Sequence, residues 1–288
     1  MTVDHENRVL AAVDRGLLAH AVADAAIWAA GRLARPLEFL HVLDRHPEQA
    51  AGEDRSGAIG LDAQDHLLQA LSARDAENSR QAREAGRLFL AGLRARALAA
   101  GFSRTDVRLR HGALVDTLLE QAAGVDLFVL GRGGATGEHA QRLGQNLASL
   151  VQRLPQLILT VHRDFAAPQR CLIAFDGSAM ARRGIEHLRH SPLLAGLDCH
   201  LLLAGSPGRE ALRALAQARS TLENDGFSVC VHQLPGEASS QVPRLVRDEG
   251  IGLLAMGAFQ HAAWRRLLLG SRTNALLRSA EVPTLLWR

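Results

Sequence analysis

Chemistry in this sequence concentrates where an acidic residue or a glycine follows an apolar run. Asp14 closes "RVLAAVDRG" and Asp176 closes "RCLIAFDGS". Gly131, Gly134 and Gly144 form a G-x2-G-x9-G pattern in "GRGGATGEHAQRLGQN". Gly257 and Gly270, followed by Ser271, repeat its outer spacing. A glycine at a strand end lets the backbone adopt positive φ and approach a ligand closely. A glycine opening the next helix leaves unpaired N–H groups facing outward, where an anion such as phosphate is favoured. Ser271, or the amide of Gln145, would add a donor, and Arg132, Arg142, Arg265, Arg266 and Arg272 would raise the local positive potential. One such loop alone is better read as a plain strand-to-helix turn. Two at fixed spacing, each in a segment with an early Asp, point to an inherited binding site.

Other candidates are weaker. His187 and His190 stand at i, i+3 beside Glu186, but no third ligand follows at useful spacing, so a solvated helix face is expected. His41 reads as a packed residue near a sheet rim. His111, before Gly112, marks the end of a strand where a ligand contact is conceivable. Ser178 lacks the G-x-S-x-G elbow of a nucleophile and fits a helix cap. The chain has no lysine, which excludes a Walker-type phosphate loop, and neither "VDRGLLA" nor "FDGSAMA" supplies an adenylating-enzyme loop. Trp28, Trp264 and Trp287 are isolated and read as core or interface residues. Cys171, Cys199 and Cys230 each lie in an apolar segment and read as small buried hydrophobes in a reducing compartment. The parts serve nucleotide binding, with no evident general base for hydrolysis.

The elements that must position these residues occur twice. "DLFVLGRGG" is echoed by "GLLAMGAFQ", and "LGQNLASLVQRLPQLILTVHR" by "LGSRTNALLRSAEVPTLLWR". The echoes keep their order at a period of about 160 residues, which is a duplicated domain and not a solenoid. Runs apolar on consecutive residues predict strands near 8–14, 37–43, 105–111, 125–131 and 156–162, then near 170–176, 198–204, 227–233, 251–257 and 282–287. Helical patterns lie between them, as in "ENSRQAREAGRLFLAGLRARALAA". The alternation predicts two tandem open α/β units, each a mostly parallel sheet with helices on both faces. The expected domains are 1–165, with an acidic surface-loop insertion at about 44–64, and 168–288, joined near "RDFAAPQ". In such sheets ligands sit at the carboxyl ends of strands where strand order reverses, which places Asp14 with Gly131 and Asp176 with Gly257.

Composition narrows the class. The 288 residues suit two domains, and 47% hydrophobic content supplies their cores. A net charge of +3 with interleaved signs lacks the concentrated basic face of a nucleic-acid binder. Arginine without lysine or tyrosine suggests the codon bias of a GC-rich, bacterial genome. With no signal pattern and no bilayer-length apolar stretch, a cytoplasmic location is expected and no membrane contact.

The "LAAVDRG" and "IAFDGS" starts, the "LHV" at 40–42, the glycine loop and the closing "VPTLLW" strand together resemble the universal stress protein family, as a tandem member. The resemblance covers nearly the whole chain. It implies five-stranded sheets paired through "LILTV" and "TLLW" as an intramolecular pseudo-dimer. It also implies an adenine nucleotide, ATP or AMP, with Mg²⁺ alongside ATP left open. Asp14 and Val42 would meet adenine and ribose, and Gly131, Gly134, Gly144 and Gln145 would line ribose and phosphates. In the second copy the matching positions are Asp176, Ala204, Gly257, Gly270 and Ser271. Two departures stand out: Gln145 replaces the usual Ser or Thr, and Gln260 replaces the middle glycine. The expected role is a stress-linked nucleotide sensor, favouring the first copy as the occupied one. The alternatives are a nucleotide-free interaction module and, third, a slow ATP hydrolase. Homodimerisation and an unnamed protein partner stay open.

Overall fold

The computed structural model describes residues 7–43, 61–132, 138–257 and 280–288. The first half runs β1 (Arg8–Ala12), α1 (Ala19–Leu33), β2 (Leu37–Leu43), α2 (Leu61–Ala99), β3 (Thr105–His111), α3 (Leu114–Glu120), β4 (Val125–Gly131), α4 (Glu138–Arg153) and β5 (Leu157–Val161). The second runs β6 (Arg170–Ala174), α5 (Ala179–Arg189), β7 (Asp198–Ala204), α6 (Arg209–Asn224), β8 (Val229–Leu234), α7 (Ala238–Asp248), β9 (Leu253–Gly257) and β10 (Thr284–Trp287). All ten expected strands are present within a few residues of their predicted ends. Of the expected insertion, 44–60 lies outside the described residues, and 61–64 belongs to α2 instead of a loop.

The strands form one sheet in the order β3-β2-β1-β4-β5-β10-β9-β6-β7-β8. Each half is parallel, and the halves meet at one antiparallel pair, Thr160 opposite Thr284, Leu159 opposite Leu285 and Ile158 opposite Leu286. Both threonines are fully buried, and the Thr160 hydroxyl donates to the Thr284 carbonyl at 3.3 Å. This is the pairing of last strands that the resemblance implied.

Alternate strand residues feed two cores, as a period of two requires. One face packs α1, α2, α5 and α6 over Val9, Phe39, Leu127, Leu159, Ile173, Leu201 and Leu285. The other packs α3, α4 and α7 over Leu10, Phe128, Ile158, Leu172, Leu254 and Leu286. Both cores cross the central pair without interruption. The connecting segment 163–169 is not a free linker: Phe165 meets Trp28 with ring centroids 5.6 Å apart, and Pro168 is buried.

The outer strands of the first half are held by charge. Glu38 on β2 is 3% exposed and lies 3.0 Å from Arg8 Nε on β1 and 3.0 Å from Arg108 Nε on β3. One carboxylate between two guanidiniums replaces the apolar contact that a neighbouring face would use.

Candidate functional site

Strand order reverses between β1 and β4, and again between β6 and β9. At both points the chain leaves the sheet through the same turn. The Val13 N–H continues the parallel ladder to the Leu40 carbonyl, and Phe175 does the same to Leu202, each at 2.9 Å. Asp14 Oδ1 then accepts from the Gly16 N–H at 2.9 Å, and Asp176 Oδ1 from the Ser178 N–H at 2.9 Å. Each carboxylate is exposed, and each keeps Oδ2 without a partner among the described residues. The turn uses one oxygen for local structure and holds the other over the rim.

Val42 on β2 and Gly131 on β4 flank Asp14, and Ala204 on β7 and Gly257 on β9 flank Asp176. The structure thus brings three residues together at each rim. Gly134, Gly270, Ser271 and Gln260 lie outside the described residues. Gly144 and Gln145 do not open a helix. α4 begins at Glu138, so both sit inside its second and third turns, where N–H groups are spent on intrahelical bonds. Residues 138–143 contain no glycine or proline and most are good helix formers, so they extend the helix backward past the glycine.

The strand-end glycines also differ from expectation, since neither adopts positive φ. A Cβ on Gly131 would meet Val22 and Leu18 at an ordinary 3.4–3.5 Å. A Cβ on Gly257 would come within 3.0 Å of Met180 Sδ and 3.3 Å of Trp287 Nε1. Trp287, whose register position matches that of Val161, donates its indole N–H to the Met180 carbonyl at 3.3 Å. Core packing accounts for glycine at 257. Among the described residues, neither packing nor φ accounts for it at 131.

Arg132 links the two halves. Its guanidinium donates to the Ala280 carbonyl at 2.5 Å, across to the second half, and burial pushes its pKa down to about 10. His41 does more than pack. Its Nδ1 donates to the Val13 carbonyl at 2.8 Å, next to Asp14, while its ring meets Phe89 edge-on. That bond fixes the Asp14 turn from β2, a link invisible without the strand pairing. His111 lines an open cleft of about 390 Å³ at the end of β3 with Arg110, Gly112, Asp116 and Thr117. Gly112 donates to the Leu43 carbonyl, so the cleft lies one strand outward from Val42. Ser178 is the expected cap: its side chain accepts from the Ala181 N–H at 3.2 Å.

The universal stress protein family profile matches residues 6–162 and 201–288. The chain belongs to the universal stress protein family. A universal stress protein of Synechocystis is 31% identical over 267 residues, covering 91% of this chain and 93% of its own. A universal stress protein from Archaeoglobus fulgidus superposes with a TM-score of 0.71 at 17% identity, over 99% of this chain and 97% of that one. A functionally unknown protein from Pseudomonas aeruginosa does so at 0.58 and 17%, over 98% and 93%. At such identities the two structures speak to fold alone. No described helix is long and apolar enough to cross a membrane.

Proposed function

We propose that this universal stress protein binds an adenine nucleotide, ATP or AMP, at the β1–β4 rim of its first half, and acts as a stress-linked sensor or regulatory module. The observation that carries the reading is Asp14, in a turn that His41 fixes through the Val13 carbonyl, with Oδ2 unpartnered among the described residues, beside a glycine that no described neighbour requires. Such a carboxylate suits a ribose hydroxyl or the adenine amino group. Val42 supplies apolar surface beside it. Because Gly144 and Gln145 lie within α4, the phosphates are assigned to the start of that helix. The first N–H groups of a helix have no intrahelical partner. Gly134 falls between Gly131 and that helix in the sequence, and any Mg²⁺ would accompany the phosphates.

The second rim supports the nucleotide-free alternative for its own half. Asp176 is turned in the same way, but Gly257 is explained by Met180 and Trp287. Binding without rapid turnover is the expected behaviour, with conformation or partner choice following occupancy.

Calorimetric titration with ATP, ADP and AMP on single-site variants tests this. Both aspartates are exposed, so Asp14→Ala and Asp176→Ala should keep the fold. Asp14→Ala should weaken binding about tenfold or more, equivalent to roughly 1.4 kcal/mol. Asp176→Ala should leave it nearly unchanged. The reverse pattern would move the site to the second half, and no heat from folded wild type would sink the sensor reading.

A further inference from the structure

Outside the rims, the side chains best suited to ligation gather at the opposite edge of the sheet. His200 lies on β7, and Cys230 and His232 lie at i, i+2 on β8, the edge strand. Register sets His200 opposite Cys230 and Leu202 opposite His232, so all three project from one face. Their ligand atoms lie within 4.8 Å of one another. His200 Nδ1 and His232 Nε2 face each other at 2.9 Å, with ring planes 9° apart and centroids 5.1 Å apart. His200 is 6% exposed, His232 is half-buried and Cys230 is open to solvent.

The other half shows what these positions do without them. Leu10 pairs with Glu38, Glu38 with Asp106 and Leu40 with Arg108, just as Leu172 pairs with His200, His200 with Cys230 and Leu202 with His232. The first half therefore fills the matching places with Glu38, Asp106 and Arg108, and its edge is stitched by the Arg8–Glu38–Arg108 ion pairs. In the second half both members of the inter-strand pair are imidazoles, and a thiol stands where the aspartate does. The ionic stitch is gone, and two nitrogen ligands and a sulfur ligand replace it.

We propose that His200, Cys230 and His232 bind a borderline-soft divalent ion, best matched by Zn²⁺, which ties the edge strand β8 to β7. Two imidazoles and one thiolate leave a fourth, solvent-facing position for water, a donor set that zinc accepts. Two Zn–N bonds at a tetrahedral angle hold the nitrogens roughly 3.3 Å apart, so the histidine pair has only to open by a few tenths of an ångström. The ion takes the place of the proton that one of the two nitrogens donates to the other. That proton moves to the other nitrogen of its own ring, and the Cys230 thiol proton is released to solvent.

The test uses the full chain, reduced, stripped with chelator and freed of nucleotide, titrated with Co²⁺ and then Zn²⁺. One Co²⁺ per chain should bind with a thiolate-to-cobalt charge-transfer absorption, and Zn²⁺ should displace it. Cys230→Ser should abolish that absorption, and both it and His232→Gln should lower affinity roughly tenfold or more. Asp14→Ala should change neither, because Asp14 follows β1 in the first half, several strands across the sheet from β7 and β8. Zn²⁺ should also slow alkylation of Cys230 in the unsubstituted chain, a readout that needs no variant to fold. Absence of saturable binding, an absorption that survives Cys230→Ser, or alkylation indifferent to Zn²⁺ would each overturn the assignment.

Discussion

At the scale of single residues, the two copies have spent the same positions differently. Glu38 and His200 share a register position, but one is a buried anion between two cations and the other a neutral ring facing a second ring. Removing one partner of a buried ion pair leaves the others charged and unpaired, which costs far more than the pair itself contributes. Glu38→Ala is therefore expected to destabilise the chain by about 1–3 kcal/mol in chemical denaturation, less than a fully buried pair would lose, because Arg108 is partly exposed and both guanidiniums keep a bond to Gln121. A loss under about 1 kcal/mol would show that solvent already screens the network. The sequence made Asp14 and Asp176 legible because each follows an apolar run. It hid His41, His200 and His232, whose partners come from other strands and are found only through register. It also placed Cys230 with the buried cysteines. Cys171 and Cys199 are buried, their sulfurs 3.2 Å apart, but Cys230 is exposed because its edge strand lacks a neighbour on one side.

At the scale of elements, the strands were readable from consecutive apolar residues, and the helix starts were not. α2 begins 16 residues before the stretch that reads clearly as a helix, and α4 begins before Gly144. Polar helix formers carry no period that separates them from a loop. Close helix-to-sheet approach was equally hidden. A Cβ on Gly184, within α5, would fall 2.2 Å from Trp287 Cε2, so the helix accepts a poor helix former to admit the indole. The first half uses Val22 and Val161 at the matching places. Gly184→Ala should lose about 1–3 kcal/mol to overpacking although alanine favours the helix by about 1 kcal/mol. Gly184→Val combined with Trp287→Val should recover part of the loss of Gly184→Val alone, seen as a favourable coupling in a double-mutant cycle. A stabilised Gly184→Ala, or strict additivity of the valine pair, would contradict the packing account.

At the scale of the whole molecule, ten strands and two continuous cores make the halves one framework with two rims and one histidine-rich edge. Duplication preserved the sheet order and the turn at each Asp, then let the remaining positions diverge. The first rim kept a glycine with no packing duty among the described residues, and the second filled that space from its core. The asymmetry is the central claim, and nucleotide stoichiometry tests it most directly. The freshly purified full chain should release on denaturation, or bind on titration after stripping, one adenine nucleotide per chain. Two per chain would contradict the asymmetry, and none would contradict nucleotide binding itself.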